Sequence, residues 1–244
     1  MVRGQEGQVR RLYGRNMGRR LRRTVLVEMG AALMLFNVAA LPSALAQAAP
    51  ADKPIKIVAF GDSLTAGYQL PSNEAFPVVL AKALEARGHK IEILNAGVSG
   101  DTTAAGRDRI AWAVPPDTEA VILEFGANDA LRGLDPVKAR ENLDVMITSI
   151  RAQGADVLLA GMLASRSMGE LYTKPFDAIY PALAEKHGLL LYPFFIEASV
   201  FKPELNLADG LHPNAKGVAA IVASILPKVE ELIARVKVRR LAKG

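Results

Sequence analysis

Residues 207–217, "LADGLHPNAKG", place Asp209 three residues before His212 in a chain that contains three histidines. A carboxylate close to an imidazole fixes its tautomer, with Nδ1–H facing the carboxylate, and stabilises the imidazolium that forms when Nε2 accepts a proton. The alternative is a loop aspartate that caps a turn beside a solvent-exposed histidine. His89 and His187 lie in a polar turn and in the last turn of a predicted helix, where structural roles suffice. The spacing therefore indicates His212 as a candidate general base oriented by Asp209.

A general base requires a nucleophile, and residues 61–68, "GDSLTAGY", provide Ser63 at the end of a predicted buried strand. The flanking glycines let a ligand approach the backbone and the hydroxyl group. The same stretch also suits a serine that caps the next helix, or a phosphate-binding loop at a helix N-terminus. It is not a G-x-S-x-G elbow, because Thr65 occupies the position of the second glycine. From this stretch alone, nucleophile, helix cap and phosphate loop all remain open.

Two further predicted strand ends can provide hydrogen-bond donors. Residues 95–103, "NAGVSGDTT", contain Gly97 in a predicted tight turn whose backbone N–H can point at a ligand. Residues 125–133, "FGANDALRG", place Asn128 where its side-chain amide can donate into the same crevice. Each stretch by itself is also typical of an ordinary turn. Together with Ser63 and the Asp–His pair, they supply the nucleophile, base, orienting carboxylate and oxyanion donors that acyl transfer requires.

The elements that must position these residues alternate between strand-like and helix-like segments. Near-continuous apolar runs, typical of parallel strands covered on both faces, span residues 55–63, 91–98, 119–128, 156–163 and 189–195. Amphipathic stretches that end at glycine span residues 75–88, 135–154 and 176–188, and a last helix is predicted over 214–238. This alternation predicts an α/β domain with a doubly wound parallel sheet. In such a sheet, the loops after the strands line the ligand crevice.

These motifs identify a family resemblance. The chain resembles the SGNH (GDSL) hydrolase superfamily, and in particular its exported bacterial acyl-CoA thioesterases, lysophospholipases and arylesterases. The four sequence blocks of that superfamily match, in order, "GDSLTAGY", "NAGVSGDTT", "GANDALRG" and "DGLHPNAKG". One departure is Ala127, where many members have glycine. The resemblance spans nearly all of residues 55–235.

The resemblance implies a flavodoxin-like three-layer α/β/α sandwich with a five-stranded parallel sheet. It implies that Ser63 attacks an acyl carbonyl, that His212 accepts the serine proton, and that Asp209 orients His212. The oxyanion would lie among the backbone N–H groups of Ser63 and Gly97 and the side-chain amide of Asn128. It implies no metal or cofactor, and a small-molecule or lipid acyl ester as the substrate.

The acyl group is less defined by the sequence. Residues 131–136 and 162–176 follow predicted strands and could form an apolar acyl channel, the alternative being ordinary packing. Its candidate lining residues are Met168, Leu171, Tyr172 and Phe176. Two other functions stay open: a carbohydrate O-acetylesterase of the same superfamily, and a phosphate or mononucleotide binding module. The binding module would leave Asp209 and His212 unused.

Charge and composition exclude several classes. The net charge of +5 comes from residues 1–46, which carry eight Arg against two Glu, whereas the remaining chain is nearly neutral. We therefore expect no nucleic-acid partner. The chain contains no cysteine, which excludes disulfides and a thiol nucleophile. Its length and its 50% apolar content suit one buried core, and we expect a monomer.

The first 46 residues have the pattern of a secretory signal peptide. An Arg-rich segment precedes an apolar stretch that ends in a small-residue A-x-A site. We expect cleavage after Ala46, or alternatively Ala48, and translation can start at Met1 or Met17. An uncleaved membrane anchor is the alternative, although Glu28 and other residues interrupt the apolar run.

The predicted domain organisation follows from that leader. It consists of a cleaved signal peptide (1–46), a linker (47–54), the hydrolase domain (55–238) and a basic C-terminal tail (239–244). The expected location is periplasmic or secreted, with no stable membrane span in the mature protein.

Overall fold

The computed structural model describes residues 53–243, which form a five-stranded, all-parallel sheet. The strands are β1 (Ile55–Gly61), β2 (Ile91–Gly97), β3 (Ala120–Glu124), β4 (Asp156–Ala160) and β5 (Leu190–Tyr192). They lie in the order β2-β1-β3-β4-β5. The predicted α/β class and five-stranded parallel sheet are confirmed, and each strand lies within its predicted segment. The predicted signal peptide and residues 47–52 lie outside the described residues.

Helices cover both faces of the sheet and give the predicted three layers. They are α1 (Ser63–Ala66), α2 (Phe76–Glu85), α3 (Thr103–Ala113), α4 (Ala127–Leu131), α5 (Pro136–Ala152), α6 (Glu170–Asp177), α7 (Ile179–His187) and α8 (Ala215–Leu241). Helix α2 packs with α8, and α3 packs with α5. The central strands β1 and β3 are therefore almost wholly buried, which explains their continuous apolar runs.

Helix α3 was not predicted, because its sequence lacks a clear apolar stripe. Its buried positions include Thr103, Gly106 and Arg109 as well as aliphatic residues. Gly106 lies against the ring of Phe125, and a Cβ added there would be 2.7 Å from that ring. A helix whose inner face is partly polar and partly glycine does not show the periodicity on which prediction depends.

Two helix boundaries also differ from the prediction. The single helix predicted over 176–188 is the end of α6 followed by α7, and α6 itself lies within the segment predicted as an acyl-channel loop. Helix α8 continues to Leu241, beyond the predicted end at residue 238. Arg239 donates from Nε to Asp156 Oδ2 at 3.0 Å, and Arg240 donates from Nε to Glu119 Oε1 at 2.7 Å. These ion pairs hold the basic residues in the last helical turn, so residues 239–241 are not a separate tail.

Within residues 53–243, no helix combines the length and the apolar character that crossing a bilayer requires.

The strand order places the functional loops. Strand β2 lies on one side of β1, and β3, β4 and β5 follow in order on the other side, so the chain connections diverge between β1 and β3. Such a switch point opens a crevice at the carboxyl ends of the strands. Ser63 follows β1 and Asn128 follows β3, so both lie at that edge.

Candidate active site

Three side chains form a continuous hydrogen-bonded chain at the carboxyl edge of the sheet. Ser63 Oγ lies 2.9 Å from His212 Nε2. His212 Nδ1 lies 2.7 Å from Asp209 Oδ2. Because the imidazole contacts a hydroxyl at one nitrogen and a carboxylate at the other, Nδ1–H faces Asp209 and Nε2 is directed at Ser63. The structure thus brings together the three residues predicted as nucleophile, base and orienting carboxylate.

Local structure fixes Ser63 at the start of α1. Asp62 caps this helix by accepting from Leu64 N–H at 3.0 Å. The helix ends after one turn at Gly67, whose φ of 81° lies in the left-handed region. A Cβ at Gly67 would also be 2.6 Å from the Ala75 Cβ. The tight turn therefore needs glycine, and it directs the Ser63 hydroxyl toward the crevice.

Asp209 is held by the loop that carries His212. Its Oδ1 accepts the backbone N–H groups of Leu211 (2.9 Å) and His212 (3.0 Å), while Oδ2 accepts from the imidazole. Burial acts to raise the pKa of Asp209, but these hydrogen bonds and the charge of His212 outweigh it and lower the pKa to about 2. The carboxylate is therefore ionised throughout the neutral range and stays oriented toward the imidazole.

The histidine loop is anchored at both ends. Leu207 N–H donates to His212 O at 2.8 Å, and Asn206 and Pro213 form an isolated β-bridge. Asn214 then caps α8 by accepting from the N–H groups of the first turn. The "HPN" sequence thus places His212 between a bridge and a helix start, which restricts its backbone.

The three predicted oxyanion donors lie in the same region. Ser63 N–H is at the first position of α1, where a helical N–H has no intrahelical acceptor. Gly97 is the β2 partner of Gly61 in the sheet register. Its N–H donates to Asn95 Oδ1 at 3.0 Å. Asn128 Nδ2 donates to Asp62 Oδ2 at 3.2 Å and to Asp101 O at 3.0 Å. The Gly97 and Asn128 donors therefore have internal acceptors in this structure, with which an oxyanion would compete.

Comparisons with known proteins decide the family. Residues 59–220 match the model of the GDSL-like lipase/acylhydrolase family. The chain belongs to this family.

Individual members of the GDSL-like family show the extent of the similarity. An arylesterase of Vibrio mimicus is 39% identical over 177 residues, which cover 71% of this chain and 88% of that protein. Thioesterase 1/protease 1/lysophospholipase L1 of Escherichia coli K12 is 32% identical over 72% of this chain and 84% of its own. The crystal structure of AlinE4, an SGNH-hydrolase family esterase, superposes with a TM-score of 0.63 at 44% identity, covering 73% of this chain and 96% of AlinE4. The predicted resemblance is thereby confirmed.

Tyr68, the last residue of the GDSL block, contacts the candidate base. Its ring centroid lies 4.4 Å from that of the His212 imidazole, with the two planes 38° apart. The tyrosine ring therefore packs against the imidazole and restricts its movement. Sequence reasoning missed this role, although the tyrosine stands in the same motif as Ser63.

A buried arginine connects the strand ends that carry the candidate site. Arg109 on α3 donates from Nε to Asp101 Oδ2 at 2.6 Å. Its guanidinium also donates to Ala96 O and Gly61 O, both at 2.9 Å. The same group lies 4.5 Å from the ring centroid of Phe60. Arg109 therefore joins the ends of β1 and β2 to the loop whose carbonyl contacts Asn128, a role the sequence did not reveal because α3 was not predicted.

The four residues predicted to line an acyl channel have different environments. Phe176 is fully buried, stacked on Tyr172 with 5.9 Å between ring centroids, so its prediction as channel lining is wrong. Tyr172 is partly buried, and its hydroxyl donates to Leu134 O at 2.9 Å. Met168 is packed against the core. Leu171 is 99% exposed. The aromatic residues thus serve packing in α6, and Leu171 is the fully open member of the set.

Within residues 53–243, no cluster of three or more His, Asp or Glu side chains has the arrangement of a metal site.

Proposed function

We propose that this protein is a serine esterase that hydrolyses carboxylic esters and thioesters through an acyl-enzyme intermediate. The observation that carries the proposal is the unbroken chain of hydrogen bonds from Asp209 through His212 to Ser63. A serine nucleophile needs a general base, and the base needs a carboxylate that orients it. This arrangement supplies all three groups at the crevice between β1 and β3. A phosphate-binding module would need neither the carboxylate nor the imidazole.

The first half-reaction forms the acyl-enzyme. Ser63 Oγ attacks the acyl carbonyl carbon while its proton passes to His212 Nε2, and Asp209 stabilises the resulting imidazolium. The tetrahedral intermediate then collapses, its bond to the leaving oxygen or sulfur breaks, and the leaving group takes the proton from His212. The products of this half-reaction are an alcohol or thiol and an ester on Ser63.

The second half-reaction uses the same groups in reverse. His212 takes a proton from a water molecule as the water oxygen attacks the Ser63 ester carbonyl. Collapse of the second tetrahedral intermediate breaks the bond to Ser63 Oγ, which recovers its proton from His212. The acyl group leaves as a carboxylic acid, and Ser63 is ready for a new cycle.

The oxyanion of each intermediate would be stabilised by the N–H groups of Ser63 and Gly97 and by Asn128 Nδ2. Loss of one such donor typically raises the barrier by about 2.7–4 kcal/mol. Because Gly97 N–H and Asn128 already have internal acceptors, substrate binding must share or displace those contacts. The full negative charge of an oxyanion makes it the stronger acceptor.

The substrate class rests on the similar proteins, whose names include an arylesterase and a thioesterase/lysophospholipase. We include aryl esters, acyl thioesters and lysophospholipids as candidate substrates. We also propose export to the periplasm or the medium, supported by the Arg-rich segment, apolar stretch and A-x-A site of residues 1–46. N-terminal sequencing of the mature protein tests the export proposal, which predicts a start at residue 47 or 49.

The experiment that tests the proposed function compares the parent with Ser63→Ala on p-nitrophenyl esters from acetyl to palmitoyl. We expect hydrolysis by the parent and, in the variant, a loss on the order of 10⁶-fold in kcat. The acyl-length profile separates substrates: a preference for acetyl favours an O-acetylesterase, and a preference for longer chains favours lipid esters. A folded parent that is inactive on every ester, or a variant as active as the parent, would overturn the proposal.

A further inference from the structure

Two carboxyl groups lie completely buried beneath the candidate nucleophile. Asp62 precedes Ser63, and Glu124 is the last residue of β3; both are 0% exposed. Burial of one carboxylate is unfavourable, and two adjacent carboxylates also repel each other. The proposed hydrolysis uses neither group directly, so their presence under Ser63 requires another explanation.

The contacts of Glu124 show where a proton is needed. Glu124 Oε2 accepts from the Thr65 hydroxyl at 2.8 Å and from Asp62 N–H at 3.3 Å. Glu124 Oε1 is the one buried side-chain nitrogen or oxygen atom within residues 53–243 without a hydrogen-bond partner. The two carboxyl groups are neighbours, because the N–H that Glu124 Oε2 accepts is the backbone N–H of Asp62 itself. Two buried neighbouring carboxyl groups can bond to each other only if one of them carries a proton, and a neutral Glu124 would give its unpaired Oε1 that donor.

Asp62 transmits this contact to the site. Its Oδ1 caps α1 through Leu64 N–H, and its Oδ2 accepts from Asn128 Nδ2 at 3.2 Å. A carboxylate can only accept hydrogen bonds, so it selects the orientation in which the nitrogen of Asn128, and not its oxygen, faces Asp62. Asp62 therefore fixes both the helix that carries Ser63 and the amide that serves as an oxyanion donor.

We propose that Glu124, as a neutral carboxylic acid, is a positioning residue for ester hydrolysis: it donates a hydrogen bond to Asp62 and thereby holds Asp62 against Asn128 and the start of α1. The inference rests on the proposed function, and it adds to the site a residue that positions Ser63 and Asn128 through Asp62.

Electrostatics favour this protonation state. Burial and the charge of Asp62 raise the pKa of Glu124 well above its usual value. Burial also raises the pKa of Asp62, to about 6, against the opposing hydrogen bonds from Leu64 and Asn128. Of the two carboxyl groups, Glu124 is therefore the one that more readily holds a proton, and Asp62 the one that carries the negative charge. A second negative charge at Glu124 would repel the oxyanion that forms beside Ser63.

The test compares Glu124→Gln with Glu124→Met in the full chain. Glutamine keeps an acceptor for Thr65 and a donor for Asp62, whereas methionine has similar length without the donor. With p-nitrophenyl acetate, we expect Glu124→Gln to retain kcat within about threefold and Glu124→Met to lose at least about tenfold in kcat, with KM within about twofold in both. Leu232→Ala, a truncation in the buried core of α8, is the control for lost stability, and its kcat should stay within about twofold of the parent well below its Tm.

Several results would overturn the inference while leaving the proposed function intact. These are an active parent whose Glu124→Met variant keeps its kcat, a Glu124→Gln variant as impaired as Glu124→Met, or a Leu232→Ala control with the same loss of kcat. If Glu124→Met does not fold, Asp62→Asn decides, because its amide presents a donor toward Asn128. We expect at least about a tenfold loss of kcat in Asp62→Asn, and a kcat equal to that of the parent would contradict the inference. An inactive parent would instead overturn the proposed function, and this inference with it.

Discussion

At the residue scale, the candidate site is defined by how each side chain is held as well as by its chemistry. Asp209 accepts three hydrogen bonds from its own loop, so its role is to orient the imidazole and stay ionised. The imidazole is restricted by Asp209, by Ser63 and by the ring of Tyr68. Two predictions follow from these contacts.

The first concerns Asp209→Asn. An amide in this position can present its N–H₂ to Nδ1 and favour the wrong tautomer, which in a buried triad lowers kcat by about 10⁴-fold. The side chain of Asp209 is 36% exposed, so we expect a smaller loss, of at least about 100-fold in kcat on p-nitrophenyl acetate. A loss below threefold would show that Asp209 does not orient His212.

The second concerns Tyr68, for which phenylalanine and leucine form a matched pair of substitutions. Tyr68→Phe keeps the ring face against His212 and should retain kcat within about twofold. Tyr68→Leu removes an aromatic contact of about 0.5–1.5 kcal/mol, which corresponds to a loss of about two- to tenfold in kcat. Steady-state kinetics on one ester compares both variants with the parent. Equal activity of Tyr68→Leu and Tyr68→Phe would exclude a role for the ring face.

At the element scale, the sequence predicts the parallel strands and the functional residues at their ends. It does not predict the helix that holds those strand ends in place through a buried polar residue. The apolar runs identify all five strands because the central ones are buried on both faces. The blocks at the carboxyl ends of β1, β2 and β3 contain Ser63, Gly97 and Asn128. Helix α3 escaped prediction because Arg109 and Gly106 occupy its inner face. Phe176 was assigned to a channel because sequence does not distinguish an aromatic residue of the core from one that lines a pocket.

The third prediction concerns Arg109, which links α3 to the ends of β1 and β2. Arg109→Leu would leave the Asp101 carboxylate and the carbonyls of Ala96 and Gly61 without their donor. Removal of one partner from a buried ion pair typically costs about 3–5 kcal/mol, and we expect a loss of about 3 kcal/mol in the free energy of unfolding. Arg109→Lys keeps the positive charge but lacks the planar guanidinium fork. Its free energy of unfolding should therefore lie between those of the parent and Arg109→Leu. Urea denaturation measures both, and a loss below about 1 kcal/mol in Arg109→Leu would contradict this role.

At the scale of the whole molecule, the buried carboxyl pair links folding to pH. Burial raises the pKa of Glu124 in the folded protein well above its usual value of 4.5 and raises that of Asp62 from 3.8 to about 6. At a pH between the usual and the raised pKa of each group, the folded protein retains a proton that the unfolded chain releases. The contribution of the pair to stability therefore falls as pH rises through this range. Asp209 acts in the opposite direction, because its lowered pKa adds stability that is lost only as pH falls toward about 2.

The fourth prediction tests whether the buried carboxyl pair makes the protein less stable as pH rises. Glu124→Gln removes one titrating group with a raised pKa, so its free energy of unfolding relative to the parent should increase from pH 5 to pH 8. Asp209 is ionised in both folded and unfolded states across this window, and its contribution cancels in the comparison. Urea denaturation at both pH values gives the two differences. A difference between variant and parent that is constant or decreases with pH would contradict a protonated Glu124 in the folded protein.

The whole-molecule view also explains why the family was visible in the sequence while the support of the site was not. Ser63, Gly97, Asn128 and the Asp209–His212 pair stand in four recognisable blocks. Glu124 lies just before the block of Asn128, within a run that reads as an apolar strand. Its side chain reaches Asp62 only because β3 pairs with β1 and aligns Gly61 with Glu124. That register is a property of the folded sheet, which the order of the residues along the chain does not show.

The decisive measurement is to locate the covalent adduct formed with a p-nitrophenyl dialkyl phosphate. Attack by a serine Oγ forms a P–O bond, releases p-nitrophenolate and leaves a phosphorylated residue that peptide mass spectrometry can place. We expect the parent to carry the adduct on Ser63 with loss of esterase activity, and His212→Ala to react far more slowly. Inactivation with the adduct on another residue, or continued turnover without any adduct, would contradict the assignment of Ser63 as the nucleophile.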